Sequence, residues 1–301
     1  RFYDGDGLTL DKIIGLGKWG CLIAEELTEY PEYRIYKIDS DISERASLSI
    51  GDLGNIEDYE NNVDIQEVSL YLRSIKPDDK VLFICSGEEK IVGATLPILE
   101  TIRDTEINVL YLCPDRDVLS QEQKRDDKIA FNILQEYARS GLFKNMYLID
   151  LPAIEKMVGD VAITEYRKKI ANFISYVVAM VNYYDNTDAY MANLISPKNH
   201  CRIGTFGISS INPSSEGAVN MFFPLDKKTD LHFYYGVPKE DLDGDAQLTS
   251  RIKSHVKQHS TDKMAASYSI YEIEQDDVLV LCKSLSSTVQ KFSGHQTPET
   301  P

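Results

Sequence analysis

Cysteine, histidine and positive charge are all scarce in this sequence. Its 301 residues include five Cys and five His, and 48 Asp and Glu against 32 Lys and Arg give a formal net charge of −16. The Cys are odd in number, scattered, and never spaced as C-x-x-C, which argues against a disulfide framework and favours a reducing compartment. We therefore predict a cytoplasmic location.

The negative charge and the lack of long apolar runs restrict the partners. An acidic surface repels nucleic-acid phosphates, so we expect no direct nucleic-acid binding without an adaptor protein or a local basic patch. No apolar run approaches the ~18 residues of a membrane-spanning helix, so we expect no membrane insertion. His255 and His259 lie four residues apart in RIKSHVKQHS. The surrounding sequence offers no third ligand, so we predict a solvent-facing helix surface there and no metal site.

Apolar strands alternate with helical patterns through the first half of the chain. The strand-like runs are LDKIIGLG, YRIYKIDSD, KVLFICSG, INVLYLCP and NMYLIDLP. Strands that are apolar throughout and separated by helices predict a parallel sheet covered on both faces. The loops that follow such strands gather at one edge of the sheet, where ligands bind.

The second half has a different pattern. A long helical pattern spans AITEYRKKIANFISYVVAMVNYYDN, and after it come the strand-like runs CRIGTFGISSI, AVNMFFPL, DLHFYYGVP, ASYSIYEIE and DVLVLCKSL. The predicted fold class is α/β, with a parallel-sheet nucleotide-binding domain, a long central helix and a smaller mixed α+β second domain. The expected boundaries are 1–160 for a Rossmann-like domain, 161–185 for the connecting helix, 186–290 for the mixed-sheet domain and 291–301 for a disordered tail.

Gly15-x-Gly17-x-x-Gly20 is the first motif that indicates a ligand. It lies between a strand and a helix, and Asp39 follows it at the end of the next strand. In a dinucleotide-binding fold such glycines let the backbone approach a phosphate, and the acidic residue takes the ribose hydroxyls. Taken alone, the motif favours NAD. The other interpretation is a tight strand-to-helix turn that binds nothing, because the bulky Trp19 stands between the glycines.

Three more segments change that interpretation. IDSD closes the second strand, CSGEEKIVGATLP follows the third clear strand, and Asn186-Thr-Asp188-x-x-Met191 follows the long helix. Together with the first glycine loop, they resemble in their order the tubulin and FtsZ family of filament-forming GTPases, as a divergent phage- or bacterial-type member. The resemblance runs from the first strand to Ser284 and rests on several weak motifs.

This resemblance implies a nucleotide site, cofactors and a mode of assembly. GTP or GDP with Mg²⁺ would bind the loops of the first domain, which would then be a GTP-binding-type domain. Asn186 and Asp188 would enter the site of the next subunit in a head-to-tail homopolymer, where the carboxylate orients the attacking water. The residues that the resemblance assigns to nucleotide binding are Gly15, Gly17, Lys18, Gly20, Cys21, Asp39, Asp41, Ser86, Gly87, Lys90, Gly93, Ala94, Glu165 and Tyr166.

The sequence departs from the family pattern at these loops. Glu88 and Glu89 replace small residues, and two carboxylates would repel a triphosphate. Met191 stands where the family has a second acidic residue. Three hypotheses stay open: a self-assembling cytoskeletal protein that binds guanine nucleotide, with GTP hydrolysis active on assembly, weakened or lost; a nucleotide-free tubulin-like structural protein; and an NAD-dependent Rossmann oxidoreductase.

Overall fold

Two compact units make up the chain in the computed structural model, which describes residues 10–195, 200–211 and 219–292. Among the described residues, the N-terminal unit comprises 10–176 and 289–292, and the C-terminal unit comprises those between 177 and 288. Residues 1–9 of the predicted first domain and 293–301 of the predicted tail lie outside the described residues. Within the described ranges, no helix combines the length and the apolar character needed to cross a membrane.

A parallel sheet forms the core of the N-terminal unit. Its strands lie in the order β3-β2-β1-β4-β5-β6, and every neighbouring pair is parallel. The central strands are apolar along their length and almost fully buried, as a parallel sheet covered on both faces requires. The strands are β1 Lys12–Leu16, β2 Arg34–Asp39, β3 Ser47–Ser49, β4 Lys80–Ser86, β5 Glu106–Cys113 and β6 Asn145–Asp150.

Helices connect these strands, and α5 shows why they begin and end where they do. Ser120 accepts a hydrogen bond from the N–H of Gln123, and the Gln123 side chain accepts one from the N–H of Ser120. This capping box begins the helix, and Gly141 ends it in the left-handed conformation with φ of 88°. The helices are α1 Gly17–Glu26, α2 Ile56–Asn62, α3 Ile65–Leu72, α4 Thr95–Glu100, α5 Gln121–Ser140 and α6 Leu151–Val158.

The predicted long helix is present as α7, Tyr166–Asp185. The boundary between the two units falls inside it, after Tyr176. Its buried positions recur at helical spacing and include Ile170, Ile174 and Val181. The helix thus belongs to both units along the sequence, as a central connecting helix does.

The C-terminal unit contains a mixed sheet. Its strands lie in the order β8-β12-β10-β11-β7, with β9 paired to β8. The pair β10–β11 is parallel, and the other pairs are antiparallel. The elements are β7 Met191–Asn193, β8 Ile203–Ser209, β9 Asn220–Met221, β10 Lys228–Pro238, β11 Ala265–Ile273, β12 Leu279–Ser286, α8 Lys239–Gly244 and α9 Leu248–His259. The predicted fold class is confirmed.

One helix face in this unit differs from the sequence-based expectation. His255 of α9 is buried rather than solvent-facing: its Nδ1 lies 2.6 Å from the Tyr235 hydroxyl and its Nε2 lies 2.9 Å from the Ser209 hydroxyl. The two strands β8 and β10 supply these hydroxyls, so the imidazole has polar partners within the core. His259, one turn further along the helix, is partly exposed.

Candidate functional site

The N-terminus of α1 is the centre of the candidate site. The preceding residue, Leu16, has no side-chain oxygen to cap the helix, so the first N–H groups of α1 need other partners. Glu89 supplies them: its Oε1 accepts from the Lys18 N–H at 2.8 Å and its Oε2 accepts from the Trp19 N–H at 3.3 Å. A carboxylate from the loop after β4 therefore lies where the helix attracts anions.

The side chain of Trp19 ties the same loop to the same helix. Its ring is buried, and the indole N–H donates to Glu88 Oε1 at 2.6 Å. The guanidinium of Arg167, from the first turn of α7, lies 5.4 Å from the Trp19 ring. The two consecutive carboxylates thus make three hydrogen bonds to the first turn of α1.

The pKa values of two side chains at this site, Glu89 and Cys21, are raised well above their ordinary values. Burial raises the pKa of the Glu89 carboxyl to about 7; the nearby charges of Glu88 and Asp39 also raise it, and the two backbone N–H bonds lower it. Burial, then the charge of Asp39, raises the pKa of the Cys21 thiol to about 12. Cys21 is therefore a neutral thiol at physiological pH and not a nucleophile.

The glycines of the first loop are explained by close packing inside the protein. A Cβ at Gly15 would lie 2.3 Å from the carbonyl oxygen of Gly20, and a Cβ at Gly20 would lie 2.4 Å from that of Ile84. Gly17 has φ of +74°, and a Cβ there would lie 2.5 Å from Glu89 Oε2. Only glycine lets β1, α1 and β4 approach this closely while the Glu89 carboxylate sits over the turn.

Gly87 is required by a buried ionic cluster next to the loop. A Cβ at Gly87 would lie 2.0 Å from Asp127 Oδ1 and 2.3 Å from the Tyr111 hydroxyl oxygen. Asp127 accepts from that hydroxyl at 2.6 Å and from Arg116 Nε at 2.7 Å. The space beside Gly87 therefore holds protein side chains.

Of the other predicted residues, Asp39 lies near Glu89 and raises its pKa, whereas the Lys90 side chain bonds elsewhere. Lys90 is exposed, donates to the Gly54 carbonyl at 3.0 Å and pairs with Glu122 at 3.4 Å. Asp39 is buried and accepts from the Ser40 N–H, and Asp41 is exposed.

The other five assigned residues lie at the two ends of the loop that follows β4 and at the start of α7. Ser86 is buried at the end of β4, and Ala94 is buried beside Gly93, where a Cβ would lie 2.1 Å from the Ile56 carbonyl oxygen. Glu165 is exposed just before α7, and Tyr166 donates to Glu155.

Glu89 and Trp19 are the central residues of the site. From the sequence alone, both are interpreted as residues that disfavour phosphate binding. The signal that marks them is a pair of acidic residues within a glycine-containing loop, directly after a buried strand and facing an uncapped helix. A loop of that kind can return to the helix N-terminus and act as its cap in place of an external anion.

Asn186 and Asp188 lie in the C-terminal unit, just after α7. Both are exposed, and the Asn186 amide donates to the Asn182 carbonyl at 2.6 Å. The next segment, 190–195, is exposed at every position and leads through the edge strand β7. Its large apolar side chains are Tyr190, 69% exposed, Met191, 42%, Leu194, 38%, and Ile195, 42%.

The residues present do not fit a nucleoside triphosphate while the Glu89 carboxylate occupies the N-terminus of α1. The Lys18 and Trp19 N–H groups that would bind a phosphate are already bonded to its carboxylate. A phosphate beside it would also meet the charge of Glu88. Among the described residues, no group of three His, Cys, Asp or Glu side chains could hold a metal ion.

Comparison with known proteins reveals the fold. No protein-family model matches the chain, and no curated protein matches it. The structure is similar to an empty FtsZ dimer of M. jannaschii, with a TM-score of 0.66 and 12% identity over 93% of this chain and 89% of that chain. It is also similar to TubZ of Bacillus thuringiensis serovar israelensis in GDP-form protofilaments, with a TM-score of 0.64 and 15% identity over 93% and 85% of the two chains.

A further similarity, to a helical model of the TubZ-Bt four-stranded filament, has a TM-score of 0.66 and 14% identity over 94% of this chain and 87% of that chain. These similarities cover both units and the helix α7 that they share. The sequence-based resemblance is therefore confirmed at the level of architecture. The chain has a divergent tubulin/FtsZ-like fold.

Proposed function

We propose that the chain is a cytoplasmic, tubulin/FtsZ-like cytoskeletal protein that self-assembles head to tail into filaments and does so without bound nucleotide. Similar folds occur in an FtsZ dimer and in TubZ filaments, which supports assembly of this chain by analogy of fold. A head-to-tail contact uses two different surfaces of each copy, so it propagates into a filament unless it closes into a ring.

The observation that carries the proposal is the exposed apolar segment beside Asp188. Six consecutive exposed residues, 190–195, include four large apolar side chains on and around the edge strand β7. Contiguous apolar side chains on a surface indicate a protein–protein contact, and the edge strand adds backbone groups that a neighbour can pair with. In our proposal, this segment contacts the next copy in the filament.

A light-scattering experiment tests the proposed contact. We expect the wild-type protein at tens of micromolar to scatter light and sediment, and Met191→Asp to abolish both, because a charge in the interface must lose its water. The control is Leu70→Asp, the same change at an apolar residue that is 61% exposed on α3; it should assemble normally. Equal assembly of wild type and Met191→Asp would rule out this segment as the contact.

The second candidate is a polymer that binds GTP or GDP with Mg²⁺ and hydrolyses GTP on assembly. It is favoured by the position of the glycine loops at the carboxyl ends of β1 and β4, with Asn186 and Asp188 as the incoming residues. GTP turnover that Asp188→Ala abolishes would support this candidate over ours.

An NAD-dependent oxidoreductase has less support. Such an enzyme needs an acid or base beside the nicotinamide. His232, in strand β10, is a candidate for that role. Its two ring nitrogens bond the hydroxyls of Ser267 and Ser269 at 2.7 and 2.8 Å. Burial lowers its pKa to about 3. It is a half-buried, neutral imidazole held between two hydroxyls and a poor proton carrier at neutral pH.

A further inference from the structure

We propose that Glu89 is a built-in occupant of the phosphate position: its carboxylate takes the place of a nucleotide phosphate at the N-terminus of α1, and its removal opens that position to phosphate-bearing ligands. The inference deepens the proposed function, on which it rests for the identification of the site. It also accounts for the disagreement between the nucleotide-binding fold and the residues that line its first loop.

A carboxylate can replace a phosphate at the start of a helix. Carboxylate and phosphate oxygens are both anionic acceptors, and the start of a helix offers each of them free N–H groups and a partial positive charge of about +0.5. Glu89 uses both of its oxygens, one on the Lys18 N–H and one on the Trp19 N–H. A phosphate cannot use those N–H groups until the carboxylate leaves.

The loop after β4 holds the Glu89 carboxylate in place. The Glu89 carbonyl accepts from the Val92 N–H at 2.9 Å, in the 3-10 turn Lys90–Ala94 that follows. The neighbouring Glu88 is fixed by the buried Trp19 indole at 2.6 Å. Because the carboxylate is tethered, a ligand competes with an effective concentration on the order of millimolar or higher.

The turn between β1 and α1 has room for the Glu89 carboxylate. Gly17 leaves the space that Glu89 Oε2 fills, since a Cβ there would lie 2.5 Å from that oxygen. Replacing Glu89 by Ala would therefore leave an uncapped helix start, a glycine turn and a small cavity next to each other. Those three features make up a phosphate loop of the dinucleotide-binding type.

Calorimetric titration with GTP, and separately with inorganic phosphate, tests the inference at about pH 8, where Glu89 is ionised. We expect wild type to bind GTP no tighter than about 1 mM and Glu89→Ala to bind it at least about tenfold tighter. The matched control is Glu136→Ala, which removes the same charge from an exposed residue of α5 and should behave as wild type. Glu89→Gln, which keeps the side-chain volume, provides a second test if the Ala variant does not fold.

Two results would overturn the inference: wild type that binds GTP as tightly as Glu89→Ala, or a folded Glu89 variant that binds neither GTP nor phosphate. Circular dichroism and the melting temperature establish folding in each case. Sedimentation of the same samples separates this test from that of the proposed function. A gain of GTP binding without any sedimentation would sustain the role of Glu89 and reject the filament.

Discussion

Glu89 binds its proton more tightly in the folded chain than in the unfolded chain. Burial raises its pKa from 4.5 to about 7, so between these values the folded state holds more protons and the free energy of unfolding falls as pH rises. The loss is complete above about pH 7 and amounts to at most roughly 3 kcal/mol. Urea denaturation at about pH 5 and about pH 8 should show a smaller loss in Glu89→Gln than in wild type. Identical pH dependence in the two proteins would contradict the buried position of this carboxyl.

Asp127 and Arg116 form the buried ion pair next to Gly87. Their side chains are 0% and 9% exposed, so Asp127→Ala leaves a buried guanidinium without its carboxylate, and we expect a loss of about 3 to 5 kcal/mol in the free energy of unfolding. Glu136→Ala breaks the exposed pair with Arg139 and should cost less than about 1 kcal/mol. Denaturant titration measures both. A small loss for Asp127→Ala would show that the guanidinium finds water after the substitution.

The sequence shows which side chains are present in the loops, but it does not show which groups they form hydrogen bonds with. Glu88, Glu89 and Trp19 are visible in the sequence as departures from a phosphate loop. Their hydrogen bonds depend on the path of the loop between β4 and α4, which no periodic pattern specifies. The burial of His255 was missed for a similar reason, since its partners Ser209 and Tyr235 come from distant strands.

At the level of elements, the end of α5 gives a direct test of local sequence rules. Gly141 ends this helix with φ of 88°, in the left-handed conformation that glycine favours. Gly141→Ala should lower the free energy of unfolding by about 1 to 2 kcal/mol, because a Cβ disfavours that conformation. Gly244→Ala is the control, since Gly244 has no positive φ and nothing within 4 Å of its Cβ position, and its effect should stay within about 0.5 kcal/mol. Equal effects in the two variants would mean that Gly141 is not the helix stop.

Elements with long apolar or amphipathic patterns agree with their sequence-based predictions. β4, β5, α5 and α9 all form where hydrophobic periodicity places them. AVNMFFPL was expected to be a strand, but of its described residues, 219–225, two form β9, Asn220–Met221, and Phe222 and Phe223 are buried outside regular structure. An apolar run shows that a segment is buried; pairing needs a free strand edge, which the run itself cannot reveal.

The whole molecule combines an architecture that the sequence predicts with a site that it predicts only in part. The order of elements and the positions of the motifs were sufficient for the tubulin/FtsZ-like fold, because many weak signals in one order reinforce each other. The nucleotide expectation rested on a few glycines, and the structure gives each of Gly15, Gly17 and Gly20 a packing role. Glycine spacing alone therefore does not distinguish a loop that binds phosphate from one that binds its own carboxylate.

Sedimentation of nucleotide-stripped protein, followed by electron microscopy of the pellet, tests the central claim most directly. Wild-type protein at tens of micromolar should pellet as filaments to the same extent in no nucleotide, in GDP and in GTP with Mg²⁺. Protein that stays monomeric in all three conditions, or that pellets only when GTP is present, would contradict the account.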